Sequence, residues 1–495
     1  MRSHFAQLLT NNDPPTDVVL AEVNELISGP KAQIEAKAAE ILRLKKKLEE
    51  LQKERDGIQQ SMEKYNTILS PIRRIPPDIL EHIFYLCFPT NHNPVMSVTE
   101  APLILIRICR LWRSTALSSH GLWAKLHVAL PPYPLFDDDR YFPYHGAAMR
   151  SEDELETDKR RYAEVVEARR QLMDLWLSRS GTHPLSLSLT YMGTVSQDLL
   201  EEFQTQGHLP KLFRTFLSFS QRFDDLELDL PFTLCHLLLS SISVENVSAL
   251  RQLRISLCDR IPFISSSAPP SPRTETVKRT IPLFRASGLT RLSIRGDGIA
   301  QSAFDSSKIP STWANLTRIS LDFGISSTDA FHVFRLCQQL EQCNLAIADC
   351  QDVYIDPTEI LSLPLLKFLC IRINGTDLMS VLYKRIDAPA LDWFEYQTGG
   401  APYYNPPRAY GYPYCSPGGY QSSNSNIPTS PVLSLLEKSR RIRTLALDPR
   451  NFSPKDTLFS FRFASQLTHV VIGQRPLSFW SWSSSPPVYS ISISW

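Results

Sequence analysis

The side chains best equipped for chemistry in this sequence are its nine cysteines and eleven histidines. Cys337, Cys343, Cys350 and Cys370 lie near enough to one another to suggest zinc, but structural zinc favours closely spaced cysteine pairs and none is present here. Cys343 falls where a recurring apolar pattern puts a buried residue, so these thiols read as core atoms. The histidines are dispersed, and His82 lies on the polar side of a short helix, where it is expected to be solvated. No phosphate-binding Walker loop, GxGxxG, HExxH or GxSxG motif occurs. Gly296-Asp297-Gly298 reads as a turn at a strand end. The basic group Lys438, Arg440, Arg441 and Arg443 reads as a solvated edge. The repeat region pairs no acid and base within one turn, so the expectation is no catalytic residue, no metal and no cofactor.

Composition narrows the classes further. The chain has 495 residues, 43% of them hydrophobic and 21% charged, which suits two or three folded domains. Its 52 basic and 51 acidic residues leave a net charge of +1, a balance that argues against nucleic acid or an anionic membrane as main partner. No apolar run is long enough to span a bilayer, and the first residues lack a secretory core. Dispersed cysteines suggest reduced thiols, hence a cytoplasmic or nuclear protein.

The elements that must position any site start with Ile72 to Leu126. Pro76 and Pro77 suit the first turn of a helix, where a missing N–H costs nothing, and Asp78 places negative charge at the positive end of the helix dipole. Ile79, Leu80, Ile83, Phe84 and Cys87 follow at helical spacing as one expected apolar stripe. Pro89 closes this helix, and a second is expected to open near Pro102, with Leu105, Ile108, Cys109, Trp112 and Ala116 along one side and Arg107, Arg110 and Arg113 on another. A unit of this size cannot bury so many large side chains by itself, and an apolar patch left outside marks an interaction site.

This segment resembles an F-box. The opening hydrophobic-Pro-x-acidic run is Ile75-Pro76-Pro77-Asp78, the hydrophobic pairs are Ile79-Leu80 and Ile83-Phe84, and the closing core runs from Ile108 to Arg113 with a trailing Leu122-Trp123. The link from Pro89 to Pro102 is longer and more polar than usual for the family. The resemblance covers about a ninth of the chain. It implies docking on a Skp-family adaptor and, through it, a cullin, with Pro76, Ile79, Leu80, Ile83, Cys109 and Trp112 as docking or F-box-core residues.

Ahead of this segment, Ile34, Ile41, Leu48, Arg55, Met62 and Leu69 mark one heptad position, and Lys37, Leu44, Leu51, Ile58 and Tyr65 the other. That seam predicts a coiled coil able to pair two copies of the chain. Ser28-Gly29-Pro30 is expected to separate it from a weaker helix at Asp17 to Ile27. The alternative is a single helix folding back on the F-box-like segment.

Downstream, the pattern hydrophobic-x-x-hydrophobic-x-hydrophobic recurs. Its occurrences are Phe223-Leu226-Leu228, Leu250-Leu253-Ile255, Leu289-Leu292-Ile294, Leu316-Ile319-Leu321, Leu340-Cys343-Leu345, Leu366-Leu369-Ile371, Leu391-Phe394-Tyr396, Ile442-Leu445-Leu447 and Leu467-Val470-Ile472. Leu185-Leu187-Leu189 is a degenerate first unit. A period of about 25 residues with this strand signature belongs to the leucine-rich-repeat class, with one strand and one helix per unit stacked into a solenoid. A non-solenoid α/β domain is the alternative.

The expected fold is therefore α/β. It comprises a polar segment with a short helix (1–30), a coiled-coil helix (31–70), a small helical F-box (71–127) and a linker (128–161). An irregular leucine-rich-repeat solenoid of parallel strands plus helices follows (162–495), with inserts at 262–282 and 399–431. F-box proteins with such tails, including the large fungal families, imply a non-catalytic substrate receptor of a Skp–cullin–F-box ubiquitin ligase, holding an unidentified protein target on its repeats. The other class open to this sequence is an interaction scaffold or sensor that never joins a ligase.

Overall fold

The structure is a computed structural model that describes residues 8–10, 14–134, 151–193, 195–257, 282–296, 309–349, 359–373, 380–398, 435–436, 438–447 and 467–472. The chain divides into two compact units, Met1–Leu80 and Glu81–Trp495.

The first unit is dominated by helix α1 (Asp17–Leu69), 53 residues without interruption. The expected break at Ser28-Gly29-Pro30 does not occur, and Pro30 lies inside the helix. A proline there removes one backbone donor and crowds the preceding turn. The Ser28 hydroxyl donates to the Glu25 carbonyl at 2.7 Å, giving one carbonyl of that turn a side-chain partner. Strong helix formers from Lys31 onward carry the helix on. The apolar seam is exposed along its length, from Ile34 at 70% through Leu48 at 57% to Leu69 at 69%.

In the second unit the backbone forms one open sheet of eleven parallel strands whose spatial order follows chain order. The strands are β1 (Lys125–Leu130), β2 (Leu185–Tyr191), β3 (Phe223–Leu230), β4 (Gln252–Leu257), β5 (Arg291–Gly296), β6 (Arg318–Ser326), β7 (Gln342–Asp349), β8 (Phe368–Ile373), β9 (Trp393–Thr398), β10 (Thr444–Leu447) and β11 (His469–Ile472). Parallel neighbours cannot be joined by a tight turn, so each connection must cross over, and many do so with a helical turn or helix. Register ties this sheet to the recurring triplets. Leu226, Leu253, Leu292, Ile319, Cys343, Leu369, Phe394, Leu445 and Val470, the middle residues of the triplets, are successive partners across the strands. Leu187 precedes them in the same row, and Leu126 of β1 precedes Leu187. From Leu126 to Leu445 this row is buried. Because strand side chains alternate between faces, the residues between these rows form a second, more polar face.

Helix α4 (Glu152–Arg179) begins inside the stretch expected to be linker, whose charged residues form its first three turns. Ser151 accepts from the Glu154 amide while the Glu154 carboxylate accepts from the Ser151 amide, a capping box reinforced by Glu152 and Asp153. Its buried side, Leu155, Tyr162, Val166, Met173, Trp176 and Leu177, supplies part of the core. A second capping box, Ser326 with Asp329, opens the helix Ser327–Leu336. The expected inserts at 262–282 and 399–431 lie outside the described residues, apart from Pro282, which begins a short helical turn.

Candidate docking surface

Helix α2 (Pro77–Leu86) carries the boundary between the two units. The Pro76 carbonyl accepts from the Leu80 amide at 2.9 Å, and Asp78 sits in the first turn. The apolar residues do not make the single stripe expected from their spacing. Leu80 and Phe84, one turn apart, have no exposed surface, whereas Ile79 is 52% and Leu86 74% exposed, with Ile83 half-buried between them. Positions i, i+4 and i+7 share a helix face, so α2 has two apolar faces, one sealed and one open. Leu80 therefore has core character and no surface to offer a partner. Ile79 is the outward residue, and Leu86 joins it although it was absent from the expected docking set. Its spacing of two turns from Ile79 was the available signal. Pro76 is exposed, and so is Cys87, which was expected on the same stripe.

The second helix also differs from expectation. A 3-10 turn covers Leu105–Arg107, and helix α3 is confined to Arg110–Ser118. Cys109 adopts an extended conformation as its N-cap, with Sγ accepting from the Trp112 amide at 3.5 Å. Cys109 is thus exposed and acts as a cap, while half-buried Trp112 packs against Phe84 with ring centroids 5.0 Å apart. Ile104, Ile108 and Leu111 are exposed at 40%, 54% and 39%.

Below this surface, Leu122 and Trp123 are fully buried. The Trp123 indole donates to the Ala116 carbonyl at 2.8 Å and meets Trp176 of α4 edge-on at 5.0 Å, with the Arg179 guanidinium over its ring. Trp176 in turn donates to the Lys125 carbonyl of β1. A β-carbon at Gly121 would fall 2.0 Å from the Tyr85 hydroxyl, so a larger residue there would make the exposed Tyr85 side chain move. The long polar link has a physical role as well. Val95 makes an isolated parallel bridge to His127, the Pro94 carbonyl accepts from the His127 amide at 2.7 Å, and the Asn93 side chain bonds both Ser186 and Ser188. The link therefore covers the edge of β1, which would otherwise expose unpaired backbone groups.

The other face of the sheet carries charged side chains, part-exposed at Arg254, Glu227 and Arg295 and buried at Asp322 and Arg372. Arg254 of β4 pairs with Asp225 and Glu227 of β3 at 3.4 and 2.9 Å. Further along, Asp322 of β6 pairs with Arg372 of β8 at 2.8 Å and with Arg295 of β5 at 3.6 Å. The thiols have a different setting. Burial pushes Cys337 and Cys235 up to about 12 and holds Cys343 and Cys370 well above the usual thiol range, so all four are protonated core groups. Cys350 lies outside the described residues. Arg443 of the basic group pairs with Asp392 at 3.0 Å, and His82 is exposed. Among the described residues, no cluster of three or more potential metal ligands occurs, and no helix is long and apolar enough to cross a membrane.

Compared with models of known protein families and with curated protein sequences, the chain matches none.

Proposed function

We propose that this protein is the substrate receptor of a Skp–cullin–F-box ubiquitin ligase, with an F-box at Ile72 to Leu126 and a leucine-rich-repeat domain behind it. The observation that carries this reading is the open apolar face of α2, with Ile79 and Leu86 exposed beside sealed Leu80 and Phe84. An apolar side chain of this kind gains about 1.5–3 kcal/mol when a partner fully covers it, which makes an unpaired second face costly to leave in water. Pro76, Ile79 and Ile83 would contact a Skp-family adaptor, while Leu80, Cys109 and Trp112 would hold the helices that present them. Repeats in chain order leave the polar face of the sheet, including Glu227, Arg254 and Arg295, for a protein target. The chain would then act by proximity, raising the target's effective concentration near a ubiquitin-charged enzyme carried elsewhere in the complex.

The test is purification of the full chain with a Skp-family adaptor and cullin, beside the variant Ile79→Asp with Leu86→Asp. Both positions are exposed, so the variant should keep its thermal melt while losing adaptor affinity at least a hundredfold. Equal adaptor affinity in both proteins would overturn the docking face. A folded wild-type chain that never binds adaptor would instead favour a ligase-independent scaffold.

A further inference from the structure

The heptad face of α1 is an unpartnered apolar surface whose charges say what covers it. We infer that it pairs with the same face of a second copy of this chain, antiparallel, with Leu48 of one copy level with Leu51 of the other. This inference is independent of adaptor docking. Its first support is exposure: Ile41, Leu44, Leu48, Leu51, Ile58 and Met62 are each 50–58% exposed. Helices in proteins gain most of their stability by packing such a face.

Orientation follows from the two charged seam residues. In a parallel, in-register pair, each seam residue meets its own counterpart, so Arg55 would face Arg55 and Lys37 would face Lys37. The antiparallel pair avoids both repulsions. It sets Arg55 opposite Leu44 and Lys37 opposite Met62, while Ile41 meets Ile58 and Ile34 meets Tyr65. Long basic side chains can lay their methylenes on an apolar neighbour and keep the charge in water.

Register follows from the flanking positions. With Leu48 level with Leu51, Lys47 of each copy lies beside Glu54 of the other, forming two opposite-charge contacts related by the two-fold axis. Slipping by one heptad in one direction sets Lys47 against Lys47. Slipping in the other sets Glu54 against Glu54. Within one copy Lys47 has only an exposed contact to Glu50 at 3.8 Å, which leaves its charge available. A parallel pair would instead use Glu40 and Lys45 as flanking partners. The antiparallel arrangement sends the chains that follow Leu69 from opposite ends of the rod, about 60 Å apart at 1.5 Å rise per residue.

The experiment is sedimentation equilibrium of the full chain, with circular dichroism to verify unchanged helix content. The wild-type chain is expected to be a dimer at micromolar concentration. Lys47→Glu alone and Glu54→Lys alone should each weaken association on the order of tenfold. The two together in one chain should restore it, and Glu40→Lys should have little effect. A monomer at these concentrations, or a charge-swapped double variant no tighter than the singles, would overturn the inference. So would weakening by Glu40→Lys that Lys45→Glu repairs, since that outcome selects the parallel pair.

Discussion

Phe84 and Trp112 meet with ring centroids 5.0 Å apart and planes tilted by 56°. This contact joins α2 to α3 across the long polar link and packs Phe84, on the sealed face of α2, against an aromatic ring. Trp112 is half-buried, so Trp112→Ala should cost about 2–3 kcal/mol in urea unfolding, below the range for a fully buried tryptophan. Trp112→Phe keeps an aromatic contact and should cost roughly 1 kcal/mol. Leu80→Asp would put a carboxylate at a position with no exposed surface and should unfold the helical segment. Loss of adaptor binding in Leu80 or Trp112 variants therefore reports on folding. The exposed Ile79 and Leu86 positions would separate the proposed docking from folding.

The exposed thiols provide a second measurement. Cys87 and Cys109 are exposed, whereas Cys235, Cys337, Cys343 and Cys370 are buried. A thiol reagent at neutral pH should modify Cys87 and Cys109 in the native protein and reach the other four only after denaturation, as read by peptide mapping. If the adaptor covers the F-box-like surface, its presence should slow modification of Cys109 severalfold. Rapid native labelling of Cys343 would contradict the burial of that strand row.

The pair Asp322 and Arg372 bridges two strands that are not neighbours, because β7 lies between them. Between them β7 sets Ala346 level with Arg372 and supplies Asn344, whose side-chain carbonyl accepts from the Arg372 guanidinium at 3.3 Å. Both charged side chains are more than nine-tenths buried. Asp322→Ala should cost about 3–5 kcal/mol, since it strands the Arg372 charge. Asp322→Leu with Arg372→Met should recover most of that loss in chemical denaturation, because an apolar pair of similar volume removes the desolvation cost. Ala346→Leu should weaken the bridge by filling the space it crosses.

The sheet was the most legible part of this sequence. Each strand needs a buried residue at the same height as its neighbour's, so the triplets from Phe223 to Leu467 mark register directly, and the pairing of Leu253 with Leu292 spans an insert without losing it. The faces of α2 were less legible. Ile79 and Leu80 are equally apolar, and only the location of Trp112 shows that Phe84, and with it the face shared by Leu80, turns inward. The start of α4 was hidden because its first turns are nearly all charged, and the deciding signal was the Ser151–Glu154 cap rather than apolar periodicity. Pro30 misled for the opposite reason: a helix-breaking residue sits between two segments that each favour helix strongly enough to continue through it.

His127 couples the edge of the sheet to pH. Its ring lies half-buried on β1, with Nδ1 2.8 Å from the Ser188 hydroxyl. Burial lowers its pKa below the usual value of 6.5. His92 lowers it too, while Glu227, Asp229 and Glu100 oppose the shift. The folded state therefore binds this proton less readily than the unfolded chain. The stability this confers is present above pH 6.5 and is lost as pH falls from there toward the folded-state value, because the unfolded chain gains a proton first. Thermal melts should fall between pH 7 and pH 5.5, and His127→Gln should flatten that segment of the curve by removing the titrating group. An equal slope in the variant would assign the pH response to other groups, since a glutamine amide can still bond Ser188 but cannot gain the proton.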